Sequence, residues 1–368
     1  MMDYKARQKK LLVSLGTHSL DAFLITHLPN IRYLCGFTGS AGTLLLTGHS
    51  SIFFTDGRYT SQAAEEVADA KVVISHTQTL QCAAEWIARN HKKPGLNSKK
   101  AFKLGFEAEH LSSASTQRLR RMLPTGCRLQ QTSMLVERIR MVKDVEELKQ
   151  LRSAVLVGSS LFDITVNRIR AGIKETEVAA ELEYDARNAG AEGMSFSTIV
   201  ASGKRSALPH GVASTAQIPS RGFVVCDFGV ILTGYCSDMT RTVHVGRPTK
   251  EARHVYEAVL EAQMAAIAAV RSGVSGSDVD RAARNVLKKR GLAAYFTHST
   301  GHGVGLEIHE LPRIAAKQAE TLRAGMVITI EPGVYIPGKF GVRIEDMVVV
   351  TEGGCEVLTP TSKELMIL

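Results

Sequence analysis

Residues 170–182, RAGIKETEVAAEL, and residues 271–283, RSGVSGSDVDRAA, stand 101 positions apart and share one pattern. Thr176 and Ser277 are candidate helix N-caps, followed two residues on by Val178 and Val279. Gly190 and Gly291 end the two helices at the same offset, where a left-handed glycine belongs. A long helix precedes each copy, over Asp144 to Ile169 and Lys250 to Val270, and a strand-rich segment follows each. Such a duplication restricts residues 135–368 to two α-α-β units built alike, an α+β domain.

The first copy runs on into GFVVCDFGVILTGYCSDMTRTVHVG and the second into GMVITIEPGVYIPGKFGVRIEDMVVVTEGG. Each reads as an apolar strand, a turn-rich connection and a second apolar strand, with Thr233-Gly234 suited to the first turn. Asp227 and Asp238 lie on the arms of one hairpin, Glu331 and Glu345 on the arms of the other. An ionised side chain at the end of a run such as Val-Ile-Thr-Ile must be paired or metal-bound, because a lone buried charge is costly. Four acids in matching places, joined by His302 from THSTGHGVGLEIHE (297–310), supply the donors for two metal ions sharing bridging carboxylates. The rival readings of that stretch fit poorly. GHGVG lacks the GxGxxG spacing of a phosphate loop, and HELPR has Arg313 where a zincin needs histidine. Gly301 and Gly303 let the backbone turn tightly around His302. Mostly hard oxygen donors suit Mn²⁺ and tolerate Co²⁺ or Zn²⁺.

The 368 residues predict two domains. In the N-terminal part DAFLIT, AGTLLLTG, SIFFT and KVVISH predict strands, while YTSQAAEEVADA and LQCAAEWIARNHKK predict helices, an α/β alternation. The seam is placed near Met134, giving an α/β domain over 1–134 and a catalytic domain over 135–368. Residues 1–134 hold 17 Lys/Arg against 9 Asp/Glu, and residues 135–368 hold 28 against 27, so the net charge of +9 sits mostly in the first part. Without interleaved aromatics or a recognition helix, this predicts a solvated basic face and no nucleic-acid partner. No apolar run approaches the roughly 20 residues that span a bilayer, and MMDYKARQKKLLVSLG reads as an opening helix, not a signal peptide. Six scattered cysteines with no CxxC pair argue against a zinc ribbon or a disulfide framework and fit a reducing cytoplasm.

The C-terminal domain resembles the pita-bread metallopeptidases, the family of methionine aminopeptidase, aminopeptidase P and prolidase. The run from LPNIRYLCGFTGSAGTLLL through FFTDGRYTSQAAEEV is similar to the N-domains of bacterial Xaa-Pro peptidases. The resemblance implies five metal ligands: Asp238 and Glu345 bridging two divalent ions, Asp227 on one ion, His302 and Glu331 on the other. It implies a substrate-binding role for His210, a site histidine of the Xaa-Pro branch at His298, and a contact of His309 with the scissile peptide. Arg343 matches an arginine of the proline-specific members, and Tyr335 resembles a residue near their pocket. The implied reaction is attack of a hydroxide bridging the two ions on the bond preceding proline, with Glu331 shuttling a proton to the leaving nitrogen.

The GFTGSAG run favours aminopeptidase P, acting on peptides with proline at the second position; prolidase, acting on X-Pro dipeptides, is the alternative. A catalytically inactive pita-bread binding protein is the remote one, since such proteins usually substitute ligands and all five are present here. Creatinase relatives lose the ligand acids, and a methionine aminopeptidase needs no N-domain. A homodimer is implied by the same resemblance. Asp56, Arg58 and Tyr59 in TDGRY could reach a neighbouring pocket, but an Asp-Gly turn is the simpler reading.

Overall fold

A computed structural model describes residues 2–90 and 102–368. The end of the stretch read as LQCAAEWIARNHKK, from His91, lies outside the described residues. The chain divides into two compact units between Arg140 and Met141, a few residues beyond the seam near Met134.

The first unit begins with α1 (Tyr4–Thr17), β1 (Ala22–Ile25), α2 (Leu28–Cys35), β2 (Thr43–Thr47), β3 (Ser51–Asp56) and α3 (Thr60–Glu66). It continues through β4 (Lys71–Ser75), α4 (Thr79–Asn90), β5 (Phe102–Glu107), α5 (Ser113–Met122), β6 (Cys127–Thr132) and α6 (Leu135–Arg140). Its sheet has the order β4-β3-β2-β1-β5-β6. The β1–β2 and β2–β3 pairs are antiparallel, the others parallel. On one face Leu24, Leu45, Ile52 and Phe54 pack with Ala83, Ala84 and Ile87 of α4 and Leu119 of α5. Their strand neighbours Phe23, Leu44, Leu46 and Phe53 are buried as well. Burial on both faces explains why these strands read as continuous apolar runs. The short helix α6 belongs to this unit because Leu135 and Val136 are buried and Arg140 donates to Asn30 Oδ1 at 2.6 Å.

The second unit holds two halves. The first contains α7 (Val145–Val166), α8 (Glu175–Asn188), β7 (Gly193–Met194), β8 (Ile199–Ser202), β9 (Gly222–Phe228), β10 (Val230–Leu232), β11 (Tyr235–Cys236) and β12 (Met239–Val245). The second opens with α9 (Lys250–Ala269), α10 (Gly276–Lys289), β13 (Gly301–Gly303), β14 (Glu310–Ile314) and β15 (Val327–Ile330). It closes with β16 (Gly333–Ile336), β17 (Phe340–Arg343), β18 (Asp346–Val350) and β19 (Cys355–Val357). The 101-residue offset recurs in detail: Gly172 and Gly273 both take φ +86°, and Gly190 and Gly291 take +88° and +74°. These are left-handed conformations in which a Cβ is strained.

The helix starts differ from the expected Thr176 and Ser277. The N-cap of α10 is Ser275, in a reciprocal capping box with Asp278. That of α8 is Lys174, with no side-chain cap; instead the Glu175 and Thr176 N–H groups bond the carbonyls of Ala216 and Ser214. The other copy makes the same tertiary contacts, from the Gly276 and Ser277 N–H groups to the carbonyls of Glu320 and Gln318, and adds the serine cap to them.

Strand alternation decides where the acids point. Val224, Cys226, Phe228, Met239 and Val243 pack with Leu161, Phe162, Val178 and Leu182 of α7 and α8. Ile328, Ile330, Val348 and Val350 pack with Val255, Val259, Val279 and Ala283 of α9 and α10. With a side-chain period of two, Asp227, Asp238, Glu331 and Glu345 face away from the helices. Each half also nests a small hairpin inside its principal one, β10–β11 between β9 and β12, and β16–β17 between β15 and β18. The β10–β11 turn has Thr233 at φ +49° and Gly234 at +82°, as a two-residue primed turn requires. Among the described residues no helix is long and apolar enough to cross a membrane.

Candidate metal centre

The four acids stand where the nested hairpins leave and rejoin their parent strands. Asp227 is the penultimate residue of β9 and Asp238 immediately precedes β12. Glu331 follows β15 and Glu345 precedes β18, so both flank the last registered pair, Ile330–Asp346. His302 is central in β13.

GHG is therefore a short strand, not a turn. Its glycines are needed for close approach: a Cβ on Gly301 would lie 1.9 Å from the Thr329 carbonyl oxygen, and one on Gly303 2.1 Å from that of Leu311. Neither has a positive φ.

Asp238, His302 and Glu345 each offer a ligand atom within 4.8 Å of the others. His302 Nε2 lies 3.6 Å from Asp238 Oδ2 and 3.4 Å from Glu331 Oε1. His302 Nδ1 is 3.0 Å from the Gly303 carbonyl, which can only accept. The proton therefore sits on Nδ1, and the Nε2 lone pair points at the acids. Burial pushes the His302 pKa down to about 4, keeping the ring neutral at pH 7.

Among the described residues no lysine or arginine neutralises the whole cluster. Burial, then the charges of Glu345, Asp227 and Glu331, push Asp238 well above the usual carboxylate range. Glu345 is raised by burial, then by Glu331 and Asp227. Burial raises Glu331 to about 8, and Asp227 adds to the effect. Arg343 reaches Asp227 Oδ2, but Asp227 Oδ1 and Glu345 Oε1 are buried with no hydrogen-bond partner. Mutually repelling carboxylates with orphaned lone pairs beside a neutral imidazole fit divalent cations, which would relieve both penalties.

Two threonines the sequence reading missed complete the setting. Thr240 donates its hydroxyl to Glu345 Oε2 at 2.7 Å, and Thr329 donates to Glu331 Oε1 at 3.3 Å. Each is two residues from a site acid along the chain, Asp238 and Glu331 respectively, and the strand period could have exposed them.

Around this centre Arg343 donates to Tyr335 Oη at 2.6 Å, and that hydroxyl lies 2.9 Å from His298 Nε2. The Nδ1 of His298 faces the Ser299 carbonyl at 2.8 Å, so Nε2 accepts the tyrosine proton. Burial, then Arg343, pushes His298 down to about 4. Both ring nitrogens of His298 are thus spent on the protein, Nδ1 on Ser299 and Nε2 on Tyr335. The His309 ring meets that of His302 with centroids 4.5 Å apart and stays exposed, as does His210. Burial and then Arg313 lower the His309 pKa. In the first unit, Asp56 caps the turn Gly57–Tyr59 and pairs with Arg58 at 2.8 Å, while Tyr59 Oη lies 2.6 Å from Ser40 Oγ. The Asp-Gly turn describes it.

Comparison with known proteins identifies the family and the fold. Residues 149–352 match metallopeptidase family M24, and residues 7–142 match the creatinase/prolidase N-terminal domain. The chain is 37% identical to a Xaa-Pro dipeptidase of Pyrococcus horikoshii, over 97% of this chain and 98% of that one. It superposes on a Xaa-Pro dipeptidase from Bacillus anthracis with a TM-score of 0.94 and 39% identity, covering 100% of both chains. An X-Pro aminopeptidase from Thermotoga maritima gives 0.88 and 37%, covering 98% of this chain and 99% of the other. With its creatinase/prolidase-like N-terminal domain and pita-bread C-terminal domain, the chain belongs to metallopeptidase family M24, in the branch of the Xaa-Pro peptidases.

Proposed function

We propose that the protein hydrolyses the bond preceding proline and prefers X-Pro dipeptides, the prolidase activity, over longer peptides. The observation that carries the reading is the convergence of Asp238, His302 and Glu345 on one point, with Glu331 beside them. The preference for dipeptides, over the aminopeptidase P activity that the GFTGSAG run favours, follows the relatives named Xaa-Pro dipeptidase.

In this reading Asp238 and Glu345 would be shared by two divalent cations, Asp227 would hold one of them, and His302 and Glu331 would hold the other. Mn²⁺, or Co²⁺ or Zn²⁺, held there would supply an acidified water and a Lewis acid for the scissile carbonyl. Glu331 carries a proton on its carboxylate to the departing proline nitrogen. His309 donates an imidazole N–H to the carbonyl oxygen as charge develops there, worth about 3 kcal/mol for a well-placed donor. An X-Pro bond has no N–H to anchor. The ring is instead selected by shape, against the His298 edge and the Tyr335 ring, with His210 at the rim. Arg343 works from behind, holding Asp227 and Tyr335 in place. A cytoplasmic homodimer belongs to the same proposal, and light scattering on the purified protein tests the dimer.

Hydrolysis of Gly-Pro against Gly-Pro-Ala by the Mn²⁺-loaded protein tests the substrate. Preference for Gly-Pro supports prolidase. Preference for Gly-Pro-Ala restores aminopeptidase P, the activity for which the Thermotoga relative is named. Cleavage of neither overturns both.

A further inference from the structure

His210, His298 and His309 all lie on connecting segments, where a fold ordinarily has most freedom to move. Each segment is nonetheless tied to a buried carboxylate that is paired with a cation.

At the start of α8, Glu175 Oε1 accepts the Ser202 N–H and hydroxyl at 2.7 and 2.8 Å. Its Oε2 accepts the Ser214 N–H and hydroxyl at 3.1 and 2.8 Å. Arg205 bonds the same carboxylate at 2.9 Å and reaches the Val212 carbonyl at 2.8 Å. The chain is thereby held on both sides of His210.

In α10, Asp280 accepts the Thr300 hydroxyl and Arg284 Nε, both at 2.8 Å. Arg284 in turn donates to the Phe296 carbonyl at 3.2 Å and to the carbonyl of His298 itself at 2.6 Å.

Glu310, next to His309, pairs with Lys143 at 3.0 Å, and the two side chains are 5% and 1% exposed. Its Oε1 accepts the Glu307 N–H at 3.2 Å. A Cβ on Gly305 would lie 2.7 Å from both carboxylate oxygens, so the loop wraps directly on this group. The Lys143 N–H is anchored on the Gly325 carbonyl at 2.9 Å.

Ion pairs, exposed or buried, contribute little net stability, and apolar replacement of both partners of a buried pair is often neutral. Charge-assisted hydrogen bonds do impose direction on the chain that makes them. We propose that Glu175–Arg205, Asp280–Arg284 and Glu310–Lys143 are positioning residues, one pair for each of His210, His298 and His309. The inference rests on the reading of those three histidines as substrate-facing groups. A displacement near 1 Å at such a group can cost on the order of a hundredfold in rate.

Double-mutant cycles on the Mn²⁺-loaded full chain, with Gly-Pro as substrate, test it. Arg205→Met, Arg284→Met and Lys143→Met should each lower kcat about tenfold or more at unchanged metal content. Combined with alanine at its own histidine, each should add less than about twofold; with alanine at another histidine the factors should multiply. Multiplication in every pairing overturns the proposal, and so does wild-type kcat in all three single variants. Hydrogen exchange gives a readout independent of catalysis. Arg205→Met should speed the Ser202 and Ser214 amides, and Lys143→Met the Glu307 amide, by about tenfold with α9 unchanged; wild-type exchange overturns the proposal. If alanine at His210, His298 and His309 leaves kcat intact, the substrate-facing reading fails, and exchange still decides whether the segments are clamped. Glu310→Gln replaces Lys143→Met if the latter does not fold.

Discussion

Arg343 and Asp227 form a buried ion pair in which Nη2 bonds Oδ2 while Oδ1 has no hydrogen-bond partner. One oxygen is neutralised by the protein, and the other fits a cation. Arg343→Met leaves Asp227 without its guanidinium partner among three other acids. The metal-free protein should lose about 3–5 kcal/mol in urea unfolding, as when one partner of a buried pair is removed. The loss should be smaller in Mn²⁺. Equal losses in both conditions count against a cation at Oδ1.

Glu345→Gln removes one ionisable acid from a cluster in which burial and the neighbouring acids penalise its charged form. The metal-free melting temperature should rise, while the further gain on adding Mn²⁺ should largely disappear. This is the usual conflict between a stable fold and a site built for its ligand. Differential scanning fluorimetry with and without metal reads both effects. A lower metal-free midpoint contradicts the repulsion inferred here.

The metal-free protein should lose stability between about pH 6.5 and 8. Glu331 is raised to about 8, so over that interval the folded state binds more protons than the unfolded chain and stability falls as pH rises. His298 and His302, lowered to about 4, act oppositely between that value and the ordinary imidazole value near 6.5, where stability rises with pH. Above it their contribution is constant, leaving the acids alone. Urea midpoints at pH 6.5 and 8.5 measure the fall, and Glu331→Gln should reduce it.

Gly301→Ala places a methyl group 1.9 Å from the Thr329 carbonyl oxygen. Because backbone must yield, the expected cost is about 3 kcal/mol or more, above ordinary overpacking. The shift of β13 carries His302 with it. Mn²⁺ affinity by calorimetry should fall along with the thermal midpoint; wild-type affinity argues that β13 does not set the position of His302.

The duplication was legible because helices and their terminal glycines leave a local signature. Asp144, Lys250, Gly190 and Gly291 mark boundaries that the backbone obeys. The site acids were legible for a related reason, since a charge on an apolar strand contradicts its surroundings. Thr240 and Thr329 carry the same period of two but no such contradiction, and a threonine in a strand draws no notice. Glu175, Asp280 and Glu310 were less visible still. On the sequence they look like ordinary polar residues, yet Glu175 and Asp280 are buried and the Glu310 side chain nearly so.

By itself the sequence determined the repeated α-α-β plan, the strands bearing the acids and the histidine drawn to them, because periodicity and misplaced charge are properties of neighbours along the chain. Tertiary structure alone decided that α8 is capped by Ser214 and Ala216, that GHG is a strand, and that His298 spends Nε2 on Tyr335. Those outcomes depend on which distant group arrives within hydrogen-bond reach, and on how much water its arrival excludes.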